Sequence, residues 1–248
     1  ISSPDETVRW IIEQLSSDQI RQTPAMYLAE RDSSLLSAFL AKAAGRLASA
    51  TLQQALIVAI NYDTEANYFL LLEAAGENAL DDQTMRALGA TAVLRGRPWA
   101  LKALLVKGWD PKQVEDGDRL LHLAVTTTSS IAQRVVQLFT TKLSGGNLDE
   151  WAQRFAEHEL AKMPPPATRE TIRILVEAGV DLEARDDDGW TPLSTAASKG
   201  NLEAVETLLE LGAEIEAKDE VEFTPLLCAV EKGHLDIVKE LERRGADF

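Results

Sequence analysis

Apolar and polar positions alternate along this chain with the spacing of short amphipathic helices. Near the C-terminus, apolar side chains fall at i, i+3, i+6 and i+7, and glutamates take the opposite side of the same stretch. The apolar positions are Leu202, Val205, Leu208 and Leu209, and the glutamates, which we expect to face water, are Glu203, Glu206 and Glu210. A glycine follows, as is common at the end of a helix. The pattern predicts an all-α chain of short helix pairs.

Over residues 168–248 the helix pairs repeat with a period of 33 residues. The repeated positions are Gly179, Gly212 and Gly245, which close the units, and Thr191-Pro192 and Thr224-Pro225, which open them. This period and these opening residues resemble the ankyrin repeat, whose unit carries a Thr-Pro-Leu-His-x-Ala signature. The resemblance implies an ankyrin-repeat solenoid, in which neighbouring units bury each other's apolar faces and present a concave surface that binds another protein.

Weaker copies of the unit extend upstream. In 116–124 Arg119 and Leu120 stand in place of Thr-Pro, and His122 takes the place of the signature histidine. Closing glycines at positions 45, 76, 108, 145, 179, 212 and 245 predict about seven units, with helices at 35–44 and 66–75 before the first two glycines. The expected domains are degenerate N-terminal units in 1–83 and a repeat array in 84–248 with an irregular middle unit at 126–167. A separate all-helical domain is the alternative for the weakly matching parts.

The charge of the chain limits the classes of partner that it can bind. The net charge is −15, and residues 177–248 hold 19 acidic against 7 basic side chains. Such an array is a poor match for nucleic acid or an anionic membrane, so we expect a monomer that binds a protein with a basic surface. A solvated acidic face that keeps the protein soluble is the alternative.

The cysteine content and the ends of the chain bear on its location. The single cysteine, Cys228, lies in an apolar run, which predicts a buried thiol and fits a reducing compartment, so we expect a cytoplasmic protein, with the nucleus as the alternative. No apolar run is long enough to span a membrane. The chain begins at Ile1 and ends after a Gly-Ala-Asp that normally leads into another unit, so we expect a segment of a larger protein.

The motifs that would indicate catalysis are incomplete. His158 lacks the second histidine that a zinc motif needs four residues later, because that position is Lys162. The run 186–189 lacks the further ligands of a calcium loop, and no glycines match a phosphate-binding loop. We therefore expect no enzyme, no metal and no cofactor. His122 and His234 are expected to bond to loop backbone.

The ankyrin resemblance places the partner contacts on the hairpin tips and on the exposed side of each first helix. These residues are Asp187, Asp188, Trp190, Ser198 and Lys199 in one unit, Glu220, Val221, Phe223, Glu231 and Lys232 in the next, and Glu115, Asp116 and Asp118 in the degenerate unit. Acidic and aromatic residues share the tips, as in an interface with an aromatic anchor and a polar rim. The alternative is that Trp190 and Phe223 pack against the neighbouring loop. Glu222 stands where the preceding unit has Gly189, and it is strained if the turn requires a positive φ.

Two functions fit these observations. The first is a non-catalytic scaffold that binds a partner protein and acts as an adaptor, an inhibitor or a recruiting module. The second is a regulatory or sensing segment of a larger enzyme or signalling protein, which contacts its own flanking domains.

Overall fold

The computed structural model describes residues 33–43, 49–75, 80–113, 119–126 and 168–247, and over these residues it contains eleven α-helices, one 3-10 helix and no strand. The α-helices are α1 (Ser33–Ala43), α2 (Ser49–Asn61), α3 (Glu65–Ala75), α4 (Asp82–Arg95), α5 (Pro98–Val106), α6 (Arg119–Val125), α7 (Thr168–Glu177), α8 (Pro192–Lys199), α9 (Leu202–Glu210), α10 (Pro225–Lys232) and α11 (Leu235–Arg243). The all-α prediction is confirmed. None of these helices is both long and apolar enough to cross a membrane.

The chain divides into two compact units, residues 1–91 and 92–248. In the first unit α3 packs against both α1 and α2, around a core that includes Phe39, Leu56 and Tyr68, each 0% exposed. The helices predicted at 35–44 and 66–75 are therefore present as α1 and α3. Their closing glycines, at positions 45 and 76, lie outside the described residues.

The second unit contains two rows of helices. In one row α6, α8 and α10 pack in succession, and in the other α5, α7, α9 and α11 do the same. Each helix of the first row also packs against the helix that follows it in the described chain, so that α6 pairs with α7, α8 with α9 and α10 with α11. We call the members of the first row the first helices and those of the second row the second helices.

The pairing of α6 with α7 differs from the expected division of the chain. The sequence pattern assigned these two helices to different units, with a glycine at position 145 closing the earlier one. In the structure they pack on each other, and each also packs on the corresponding helix of the α8–α9 pair. They form one layer whose two helices are separated in the chain by residues 127–167, which lie outside the described residues.

Local signals at the helix ends explain the two C-terminal layers. Thr191 caps α8, since its hydroxyl accepts a hydrogen bond from the Ser194 amide at 3.3 Å, and Pro192 follows at the first helical position. Thr224 and Pro225 repeat this arrangement at α10. α8 and α10 end at glycines with left-handed backbone, with φ of 75° at Gly200 and 76° at Gly233.

Candidate partner-binding surface

Two hairpin loops, at 186–190 and 219–223, lead into α8 and α10. Each loop is closed by a backbone hydrogen bond, from the Asp186 amide to the Trp190 carbonyl at 3.0 Å and from the Asp219 amide to the Phe223 carbonyl at 3.1 Å. The first aspartate of each loop also accepts two amides through Oδ1. Asp186 accepts those of residues 188 and 190 at 3.1 and 2.9 Å, and Asp219 accepts those of 221 and 223 at 2.9 and 2.8 Å. These bonds fix the tips in one conformation.

Glu222 takes a backbone conformation that glycine takes in the preceding loop. Its φ is 67°, and that of Gly189 is 75°. The turn thus requires a positive φ, and Glu222 adopts it at a cost in strain. Lys218 lies against the strained residue, with Nζ 2.7 Å from a carboxylate oxygen of Glu222, and this hydrogen bond raises the pKa of the lysine.

Hydrogen bonds and an ion pair tie each loop to its neighbours. Arg119 of α6 pairs with Asp187. The guanidinium of Arg185 donates both to the Gly189 carbonyl of its own loop at 2.8 Å and to the Lys218 carbonyl of the next loop at 2.7 Å. The sequence did not reveal these contacts, although an arginine in place of the signature threonine at position 119 was a signal that this loop has its own partner.

Both histidines bond to backbone carbonyls between layers, His122 to loop backbone as predicted and His234 to the last turn of α8. Nε2 of His122, in α6, lies 2.9 Å from the carbonyl oxygen of Trp190, and Nε2 of His234 lies 3.1 Å from that of Ser198. Because a carbonyl can only accept, each Nε2 carries the proton in these bonds. Asn201, at the position of His234 in the preceding unit, donates to the Val125 carbonyl at 2.9 Å. Asn201 therefore links the turn after α8 to α6, and His234 links the turn after α10 to α8.

The predicted contact residues fall into four groups. Asp187, Asp188, Lys199, Glu220, Val221, Glu231 and Lys232 are exposed, and Trp190 and Phe223 are half-buried. Glu115, Asp116 and Asp118 lie outside the described residues. Ser198 differs from the prediction, because it is only 7% exposed and its carbonyl bonds to His234 inside the array. The half-buried aromatic rings leave both interpretations of Trp190 and Phe223 open.

The second helices hold a charge network that the sequence pattern placed in water. Arg169 of α7 lies 3.2 Å from the Glu206 carboxylate and 3.3 Å from that of Glu210, and Arg173 lies 2.8 Å from that of Glu210. The hydrogen bond from Arg173 lowers the pKa of Glu210. The two arginines on α7 and Glu206 and Glu210 on α9 are each spaced i, i+4, but the sequence pattern alone did not show that these side chains meet. The acidic side chains of α9 are thus partly neutralised.

Cysteine, histidine and acidic side chains are the groups that could react or bind a metal in this chain. Cys228 is 1% exposed, as predicted, and burial raises the pKa of its thiol to about 11. Among the described residues, no three histidine, cysteine or acidic side chains are grouped so that they could hold a metal ion.

Comparison with known proteins agrees with the layered helix pairs. Residues 166–248 match the family model for ankyrin repeats in three copies. No curated protein matches the chain. The matched segment begins just before α7 and contains the three helix ends at Gly179, Gly212 and Gly245 that define the 33-residue period. Residues 166–248, about a third of the chain, are therefore similar to ankyrin repeats.

Proposed function

We propose that this chain is a non-catalytic scaffold that binds a partner protein through its hairpin tips and the C-terminal ends of its first helices. Ankyrin repeats are generally protein-interaction modules, and the rows of tips and helix ends supply the exposed groups for such a contact. We call this set the tip surface, and it consists of Asp188, Lys199, Glu220, Val221, Glu231 and Lys232.

The observation that carries the proposal is an exposed valine on a fixed turn. Val221 is 70% exposed at the tip of its loop, where Oδ1 of Asp219 accepts the amides on both sides of Glu222 and so holds the backbone. A β-branched side chain on a fixed backbone loses little conformational freedom when a partner covers it. Val221 is therefore suited to be the apolar anchor, with acidic neighbours as its rim.

Charge at the tips defines the chemistry of the partner. Asp187 is paired with Arg119, and Glu222 with Lys218. The carboxylates of Asp188 and Glu220, by contrast, form no ion pair with any described residue. Both are exposed, Glu220 beside Val221 and Asp188 on the preceding tip, so the partner is expected to present lysine or arginine side chains around an apolar pocket. Such complementarity mainly raises the rate of association, and it weakens as salt screens the charges.

An affinity capture with matched charge reversals tests this proposal. The parent chain is compared with a tip variant, Asp188→Lys with Glu220→Lys, and with a control variant, Glu177→Lys with Glu242→Lys. The control makes the same change in net charge at exposed positions on the second helices. Bound proteins are quantified by mass spectrometry, and the association rate of each retained protein is measured at several salt concentrations.

The expected result is a protein that the parent and the control retain and that the tip variant loses by at least about tenfold. Its association with the parent should slow as salt rises, and Val221→Asp should weaken it as well. Equal capture by the tip variant and the control would show that the tip surface is not the contact. A partner that depends only on Val221 would contradict the basic chemistry assigned to it.

A further inference from the structure

The two hairpin loops, at 186–190 and 219–223, are linked to each other by Arg185. Its guanidinium nitrogen Nη1 donates to the Gly189 carbonyl at 2.8 Å and to the Lys218 carbonyl at 2.7 Å. The first carbonyl belongs to one loop, and the second lies directly before the other loop. Because this nitrogen carries two N–H groups, it can donate to both carbonyls at once. One side chain therefore holds the backbone of both loops.

The two loops also touch each other at Gly189. A Cβ atom added to Gly189 would lie 2.9 Å from Cγ and 3.3 Å from the backbone nitrogen of Glu220. Glu220 therefore occupies the space that a side chain at Gly189 would need. This contact keeps the loops from moving closer, and the bonds of Arg185 keep them from separating. We call the two bonds and this contact the joint.

The joint lies inside the tip surface. Asp188 directly precedes Gly189, and Val221 directly follows Glu220. The exposed groups of the two tips are therefore each one residue away from the point where the loops meet. A change in the spacing of the loops would change the distance between Asp188 and Val221.

The next unit has a different arrangement at the position equivalent to Arg185. Lys218 stands there, 33 residues later, and its Nζ bonds to Glu222, in the loop that directly follows it, at 2.7 Å. Both Arg185 and Lys218 are exposed and carry one positive charge. Lys218 thus stabilises one loop, whereas Arg185 links two, and the two residues form a matched pair for an experiment.

We propose that Arg185 is a positioning residue of the tip surface, which fixes the spacing of the two loops so that one partner binds both tips at once. This role rests on the proposed function, since it requires a partner at the tips. A partner that contacts Asp188 on one tip and Val221 on the other binds more tightly when these groups already have their bound spacing, because no ordering of the loops then opposes binding. Arg185 acts through the loops that it links.

Distances between the tips test the joint without any partner. Nitroxide labels are placed at Asp188→Cys and Val221→Cys in a chain with Cys228→Ala, and the distribution of distances between them is measured by pulsed electron paramagnetic resonance. Arg185→Met should make this distribution about twice as wide, because two hydrogen bonds to a charged group are lost. Lys218→Met, which removes the same charge at the equivalent position, should leave its width unchanged.

The affinity for the protein that the parent chain retains in the capture gives a second readout. Arg185→Met should weaken binding about tenfold, because the loops must then be ordered when the partner binds. Loss of a positive charge beside acidic tips would by itself strengthen binding to a basic partner. Lys218→Met, with the same loss of charge, should not weaken binding. A lower affinity of the Arg185→Met chain can therefore not result from charge.

An unchanged distance distribution in Arg185→Met, or a wider one with unchanged affinity, would overturn the role of Arg185 and leave the tip surface standing. So would exchange of the Trp190 amide that is about tenfold faster, since the first loop would then have opened by itself. A capture that retains no protein would instead refute the tip surface, and Arg185 would then link the loops without positioning a contact.

Discussion

The ring of His234 lies directly over a glycine of the preceding unit. A Cβ atom added to Gly200 would lie 2.7 Å from Cε1 and 2.9 Å from Nδ1 of this ring, so the ring must move if a methyl group is present. At Gly233, the equivalent position one unit later, an added Cβ meets nothing within 4 Å. Both glycines have the same left-handed backbone. Comparing substitutions at these two glycines therefore separates the effect of backbone strain from that of packing between units.

We expect Gly233→Ala to destabilise the chain by about 1–2 kcal/mol, through strain at positive φ alone. Gly200→Ala should cost about 1 kcal/mol more, because moving the His234 ring also breaks its 3.1 Å bond to the Ser198 carbonyl. The measurement is urea unfolding of both variants, with the midpoint compared at constant m-value. Equal losses would show that the ring contact contributes nothing.

A further variant confirms the cause at Gly200. His234→Asn places there the residue that the preceding unit has at position 201 and removes the ring. In this background Gly200→Ala should cost only what Gly233→Ala costs. If the larger loss persisted, the additional term would arise from the turn and not from the histidine.

At the scale of the helix, α11 is stabilised by ion pairs within its own last turn. Glu240 lies 2.6 Å from Arg243 and 2.9 Å from Arg244, at the i+3 and i+4 positions. These bonds, that of Arg243 first, lower the pKa of Glu240 from 4.5 to about 2. The folded state therefore holds the proton on Glu240 less tightly than the unfolded state does.

This difference gives a pH dependence with a definite sign. The pairs contribute fully above about pH 4.5, and their contribution is lost as the pH falls from there towards 2. Glu240→Gln should therefore reduce stability at pH 6 and flatten the decline between pH 4.5 and 2. The test is the urea midpoint as a function of pH, with Glu242→Gln as the control, since Glu242 forms no ion pair among the described residues. Parallel curves for the parent and Glu240→Gln would refute the assignment.

Which elements the sequence could predict depends on how local their causes are. The caps at Thr191 and Thr224 and the helix ends at Gly200 and Gly233 act within one turn, so the 33-residue pattern located these helices correctly. The ion pairs of Arg169 with Glu206 and Glu210 join residues about 40 positions apart. Such pairs depend on which helices are neighbours, which no local signal specifies.

On the candidate surface too, local features could be predicted from the sequence and contacts between layers could not. The pattern placed Asp188, Glu220 and Val221 on exposed tips, because turn residues lie between helices of known register. It could not show that Ser198 is buried or that Asp187 is paired with Arg119, since both result from the stacking of one layer on the next. Burial in a repeat array is a property of junctions rather than of single units.

At the scale of the second unit, the main departure from the pattern is the layer formed by α6 and α7. In the regular units 21 residues separate the signature threonine from the closing glycine, as from Thr191 to Gly212. From Arg119, at the threonine position, to Gly179 the separation is 60 residues. Replacing residues 127–167 by Lys-Gly, the turn found at 199–200, restores the separation of 21. Residues 127–167 therefore stand in the chain where a regular unit has a two-residue turn.

Because residues 127–167 stand where a regular unit has a two-residue turn, the second unit should fold without them. In a chain with Lys-Gly in place of residues 127–167, the helices of the second unit should unfold together in one cooperative transition, because α6 and α7 already pack on each other and on the α8–α9 pair. The comparison chain has a Gly/Ser linker of 41 residues in the same place. The free energy of unfolding should be about 2–3 kcal/mol higher for the chain with Lys-Gly, because closing the shorter connection costs less entropy. Circular dichroism during urea unfolding measures both quantities. Two separate transitions within the second unit, or loss of helix content beyond the deleted segment, would show that α6 and α7 depend on residues 127–167 to form their layer. A single transition of the second unit in both chains would show that the layer forms from its own contacts, with residues 127–167 as an insertion into a regular helix pair.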